Sequence, residues 1–137
     1  MGISKIHLKE QAVVLTLNSI GWNMTWSGGG FDHYDAEGFT QTGNPCIIEM
    51  KFRNKYYETK MLEVYKYNKL MEMNEDIIKI YLVSDPKGIF LFHLDFIEIP
   101  EIEEKYCPST TLWAGGSKNK EVYLLDENQA ILINKLK

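Results

Sequence analysis

The chain reads as a single α/β domain built on a mixed β-sheet flanked by helices, and three observations carry that reading. Residues 4–18 set Ile6, Val13, Leu17 and Ile20 on one stripe of a helix. Trp22, Met24 and Trp26 alternate with polar residues, as in a strand covered on one face. Ile77 to Val83 is an apolar run bounded by turn signals, the mark of a strand covered on both faces by helical layers.

The remaining elements fall into place around these. Ser27-Gly28-Gly29-Gly30 ends the first strand. Phe31 to Phe39 and Asn44 to Phe52 read as two strands joined by a turn at Thr42-Gly43-Asn44. Residues 56–73 read as a second helix. Asp85-Pro86-Lys87-Gly88 has Asp, Pro and Gly where a type I turn wants them, and it leads into a strand over Ile89–Phe96. The order is α-β-β-β-α-β-β over a core of about residues 1–96. After Pro100 comes a C-terminal extension, about 97–137, too short to be a domain of its own. Within it Tyr106 to Thr111 is turn-like. Glu121–Leu125 and Ala130–Ile133 read as a hairpin, or as a strand and a short helix, able to lengthen the sheet, flank a groove or build a dimer interface.

Composition excludes several classes. At 137 residues, 45% hydrophobic and 25% charged, the chain has ordinary globular make-up, long enough for one real core. No stretch approaches the apolar length needed to span a bilayer, and Met1-Gly2-Ile3-Ser4-Lys5 leads into no signal-peptide core, so a cytoplasmic protein is expected. The two cysteines, Cys46 and Cys107, have no metal-ligand spacing, and Cys46 falls in a core strand as a reduced thiol.

The chemistry concentrates at the end of the third strand. Cys46-Ile47-Ile48 runs into Glu49-Met50-Lys51, with Asp35 upstream. Alternation along a strand projects Glu49 and Lys51 together, while Ile48, Met50 and Phe52 face the other way. Core strands rarely carry such a pair for packing, because burying charge is costly. Two carboxylates are hard oxygen ligands suited to Mg2+ or Mn2+, and the backbone carbonyl of Met50 offers another oxygen. A cation held there lowers the pKa of a bound water and holds a phosphoryl oxygen, while Lys51 counters developing negative charge.

These residues, Asp35-Ala36-Glu37-Gly38 followed by Glu49-Met50-Lys51-Phe52-Arg53, resemble the PD-(D/E)XK nuclease superfamily, and in detail its small phage or prophage-type and junction resolvase-like members. The resemblance implies a restriction-endonuclease-like core and a Mg2+-dependent phosphodiesterase, most naturally an endonuclease acting on DNA, with a homodimer and an RNA substrate left open. It implies Asp35, Glu49 and Lys51 as catalytic residues and Asp35, Glu49 and the Met50 carbonyl as metal ligands. Tyr34 stands where the name-giving Pro would be, which leaves Asp32 as a rival upstream ligand. Glu37 shares the strand face of Asp35.

Charge distribution agrees with an anionic substrate. The net charge is −4, yet Lys51 to Lys69 holds six basic residues against two acidic ones, leaving −8 elsewhere. Arg53, Lys55, Lys60 and Lys66 are the candidate phosphate contacts. Tyr56, Tyr57, Tyr65 and Tyr67 are interleaved and able to stack on bases. The bland alternative is a solvated, lysine-rich helix face.

Two charged residues interrupt helical stripes. Glu10 lies between Ile6 and Val13, either reaching toward the metal as a third carboxylate or snorkelling to water. Lys66 either neutralises the carboxylate cluster, touches DNA, or is a surface lysine with a buried stem. His33 is near Asp35, but His7, His33 and His93 form no ligand spacing and read as structural. The Ser27–Gly30 loop lacks the Lys-Ser/Thr ending of a phosphate-binding loop and reads instead as a flexible flap. Two rivals to the enzyme remain: a non-catalytic nucleic-acid-binding or assembly module of the same fold, and a structural domain in which Asp35, Glu49 and Lys51 form a salt-bridge cluster.

Overall fold

The first helix, α1 (Lys5–Ser19), begins where the Ser4 hydroxyl accepts the His7 N–H at 3.2 Å, an N-cap bond that satisfies one orphan donor. The structure is a computed structural model that describes residues 4–28, 34–108 and 117–133. The buried stripe of α1 is Glu10, Val13, Val14 and Leu17, the i, i+3, i+4, i+7 spacing of one helix face. Ile6 and Ile20, expected on that stripe, lie at its two ends and are 44% and 43% exposed.

A six-stranded sheet follows in the order β1-β2-β3-β5-β6-β9, with β1 Asn23–Trp26, β2 Ala36–Phe39, β3 Pro45–Phe52, β5 Ile78–Asp85, β6 Gly88–His93 and β9 Ile131–Ile133. All neighbours are antiparallel except β3 and β5, which run parallel. A parallel pair needs a crossover. Here it holds β4 (Thr59–Glu63) and α2 (Val64–Met71). A smaller sheet, β4-β8-β7, covers the same side, with β7 at Glu103–Pro108 and β8 at Ser117–Asp126.

The two faces of the large sheet have separate cores. Cys46, Ile48 and Met50 of β3 join Ile80 and Leu82 under α1. On the other face Ile47, Tyr81, Val83, Phe90 and Phe92 pack with Leu62 of β4, Leu70 of α2 and Leu125 of β8. Gly38 permits the tight β1–β2 pairing: its φ is +155°, and a Cβ there would lie 2.1 Å from the Asn23 carbonyl oxygen. The Asp85–Gly88 turn forms as expected, with Asp85 paired to Gly88 and the Asp85 carboxylate accepting the Lys87 N–H at 2.8 Å.

Several expectations are corrected. The helix expected over 56–73 is two elements, since its first half is β4, paired with β8 through Met61↔Leu124 and Leu62↔Tyr123. That partner lies far along the chain, where no local periodicity can reveal it. The strand expected over Ile89–Phe96 ends at His93, where the Phe96 N–H closes a turn on the His93 carbonyl at 2.9 Å. The extension is divided between both sheets: β9 lengthens the large one, while β7 and β8 build the small one. Tyr106–Pro108, read as turn-like, belongs to β7. Asp32, His33 and most of the glycine loop lie outside the described residues. Cys46 is a buried free thiol, pushed up to about 12 by burial, with its Sγ 3.6 Å from the Met24 sulfur. No helix among the described residues is long and apolar enough to cross a membrane.

Candidate active site

Asp35 stands one residue before β2 and is fixed to β3 twice. Its N–H donates to the Ile48 carbonyl at 2.8 Å, and its Oδ2 accepts the Met50 N–H at 2.8 Å. The carboxylate thus takes the place a backbone carbonyl would fill had the β2–β3 ladder continued. Strand geometry directs the N–H and C=O of one residue to the same edge, so the Met50 carbonyl leaves β3 on the side of Asp35.

Glu49 and Lys51 project from the opposite face of β3 to Ile48 and Met50, as alternation requires. Glu49 is buried and lies under α2, whose Lys66 donates from Nζ to Glu49 Oε1 at 3.2 Å. Lys66 therefore neutralises the carboxylate cluster, one of its three readings. Glu10 is buried as well, at 7% exposure. Its Oε1 accepts the Trp26 indole N–H at 2.9 Å, and it lies within hydrogen-bonding reach of Asp35. The edge position of Glu10 that would let it snorkel to water is thereby excluded.

The cluster is electrostatically unsettled. Burial, then the charge of Asp35, pushes Glu49 up to about 7, against the opposing pull of Lys66 and Lys51. Burial also raises Asp35, the Met50 N–H works against it, and Glu10 adds to it. Lys51 is pushed down by burial and by the neighbouring charges of Lys66 and Arg53. Each group is driven toward its neutral form, a pattern common where charge is held ready for an incoming partner.

The donor set fits a small divalent cation. Asp35 and Glu49 provide hard carboxylate oxygens that repel each other, and the Met50 carbonyl adds a neutral oxygen at the same edge. Among the described residues no three His, Cys, Asp or Glu side chains converge closely enough to enclose an ion by themselves, so a bound cation would complete its shell with water or substrate oxygens.

A groove of about 580 Å³ opens from Glu49 and Lys51 between the two sheets. Arg53, Lys55 and Lys66, candidate phosphate contacts, line it. Lys60 departs from its expected role: it is 3% exposed, and its Nζ meets Asp85 at 3.0 Å, Glu127 at 3.3 Å and the Tyr57 carbonyl. It reaches the groove floor, but its charge is spent inside the fold. Of the four tyrosines, Tyr57 and Tyr65 are exposed, whereas Tyr56 donates to Glu127 and Tyr67 packs edge-on against Tyr123. Glu37 is exposed and accepts from the Tyr34 hydroxyl at 3.2 Å. Sequence reasoning missed Glu63, Lys105 and Lys120, which also line the groove. Lys105 and Lys120 lie among five lysines and seven acidic residues of the extension, and their shared face depends on strand register.

No family model matches the chain, and no curated protein matches its sequence. Among solved structures it is similar to Hjc, a Holliday junction resolvase from the archaeal hyperthermophile Archaeoglobus fulgidus. The TM-score is 0.65 at 15% identity, over 95% of this chain and 93% of that one. At such low identity the likeness speaks to the fold: a mixed sheet flanked by helices, of the restriction-endonuclease-like type.

Proposed function

We propose that this chain is a divalent-metal-dependent nuclease that hydrolyses phosphodiester bonds in DNA, acting as an endonuclease on branched, junction-like substrates. The observation that carries the reading is that Glu49 and Lys51 line a basic groove while Asp35 lies close enough to act on the charge of Glu49, with both carboxylates raised and the lysine lowered. The likeness in fold to a Holliday junction resolvase supports the substrate class.

Asp35, Glu49 and the Met50 carbonyl would hold Mg2+ or Mn2+, with Glu10 steadying Asp35. When bound, the cation supplies Lewis acidity and a more acidic water. The chain's own groups do the rest. The Met50 N–H fixes the orientation of Asp35 through its Oδ2. Lys66 holds Glu49 aimed from the core strand. Lys51, with its charge partly desolvated, stabilises negative charge as it develops on the phosphate. Arg53 and Lys55 carry the backbone along the groove without reading bases.

A second reading is a non-catalytic module of the same fold, favoured by the Lys66–Glu49 ion pair, which already engages one carboxylate oxygen. Cleavage assays on linear, circular, branched and single-stranded DNA separate the two. Mg2+ or Mn2+ should support cleavage, Ca2+ should bind without turnover, and excess EDTA should abolish activity. Cutting that persists in EDTA would overturn the mechanism. Absence of cutting on every substrate would favour the module.

A further inference from the structure

The register of β7 against β8 sets Lys105 directly opposite Lys120. Like charges directly opposite on neighbouring strands destabilise a ladder. The next pair along is Glu104 opposite Glu121. Because successive residues point to opposite faces, the lysine pair and the glutamate pair lie on opposite faces of the small sheet. Its lysine pair faces the groove and its glutamate pair faces away. A register shifted by one residue would have matched lysine with glutamate, which a merely solvated sheet would favour.

The two ammonium groups are unequally compensated. Lys120 meets Glu63 at 3.1 Å, whereas among the described residues Lys105 reaches only Glu103, at 4.0 Å and with both side chains about half exposed. Glu63 also lies close enough to Lys51 to act on its charge, so one carboxylate stands between the candidate catalytic lysine and the lysine pair. Lys51, Arg53 and Lys55 continue the line of positive charge from β3. Such a row suits a polyanion with regularly spaced charges rather than a single small anion.

We propose that a phosphate of the nucleic-acid strand seats between Lys105 and Lys120, so that the small sheet forms the far wall of the substrate groove. Glu63 holds Lys120 in place of that phosphate until the strand enters. The inference rests on the nuclease reading above and extends it to the C-terminal extension.

Equilibrium binding of fluorescein-labelled four-way DNA junctions and linear duplexes, in EDTA to prevent cutting, tests it across a range of salt. Lys105→Gln with Lys120→Gln should weaken binding roughly tenfold near physiological salt. It should also lower the slope of log K against log salt by about one to two, similarly for both DNAs. Lys105→Arg with Lys120→Arg should keep the slope, and Lys5→Gln, on α1, should change nothing. Glu63→Gln should tighten binding several-fold at low salt. If the double variant does not melt like wild type, each single variant should still lose about one unit of slope. An unchanged slope in a protein that binds and cuts overturns the phosphate seat and leaves the nuclease reading standing. A wild-type protein that neither binds nor cuts DNA overturns both.

Discussion

Two charged clusters share the α2 face of the large sheet, and they are built on opposite principles. Around Lys60 every demand is met. Its ammonium sits between the carboxylates of Asp85 and Glu127, takes the Tyr57 carbonyl, and lies over the rings of Phe90 at 4.1 Å and Tyr56 at 4.3 Å. Around Glu49 little is settled: two carboxylates are pushed up, a lysine is pushed down, and one exposed-side cation, Lys66, holds a partial balance. Burial alone does not distinguish them, for both are largely out of water. The difference is compensation. The Lys60 cluster is closed and ties β4 to the β5–β6 turn and to the 3-10 turn at Glu127–Gln129. The Glu49 cluster opens onto a groove and stores like-charge repulsion that an incoming cation or phosphate would relieve.

The largest effect should come from breaking the closed cluster. Lys60→Ala leaves Asp85, itself 1% exposed, with a buried charge and no cation, so the fold should lose about 3–5 kcal/mol in denaturant melts. A loss within a few tenths of a kcal/mol would show that water enters and that the cluster is not closed.

Next in size is the effect of Lys51 on turnover. Lys51→Ala should slow single-turnover cleavage about 10²–10³-fold, the scale for removing one preorganised charge. DNA and divalent-cation affinity should stay near wild type, since the group acts mainly in the transition state. An equal loss in binding and rate would assign Lys51 to the groove rather than to the chemistry.

The third effect is on stability and depends on pH. The folded chain holds Glu49 at about 7, above its ordinary 4.5, so this group costs the fold nothing below about pH 4.5. Between the two values the folded state binds more protons than the unfolded one, and stability falls as pH rises. Above about 7 the full cost of roughly 3 kcal/mol is present. Metal-free Glu49→Gln should therefore melt higher than wild type at pH 8, and close to it at pH 4.5. If it melts lower at pH 8, the ion pair with Lys66 outweighs burial and the cluster is structural. Saturating Mg2+ should raise the wild-type melting temperature at pH 8 by mass action and leave Glu49→Gln largely unmoved.

The comparison also explains what could be read before folding. Glu49 and Lys51 were legible as a pair because two-residue alternation on an apolar strand is a local rule, and charge on such a strand stands out against it. Glu10 was legible as an anomaly in a helical stripe, though its bond to Trp26 was not. Lys60 was misassigned because a lysine among lysines and tyrosines looks like a surface cation. Its carboxylate partners, Asp85 and Glu127, lie in a turn and a distant segment.

The sequence by itself determined the alternation of helix and strands, the face of β3 that bears charge, the Asp85–Gly88 turn and the basic bias of residues 51–69. These depend on periodicity and turn chemistry, which act over a few residues. Only the tertiary structure decided that Thr59–Glu63 is a strand and that the extension is shared between two sheets. It alone set Glu49 beneath Lys66 and Lys105 against Lys120. Those outcomes depend on which distant strands pair and in what register, and a ladder formed across the chain overrides the local preference for helix because it satisfies backbone groups and buries side chains together.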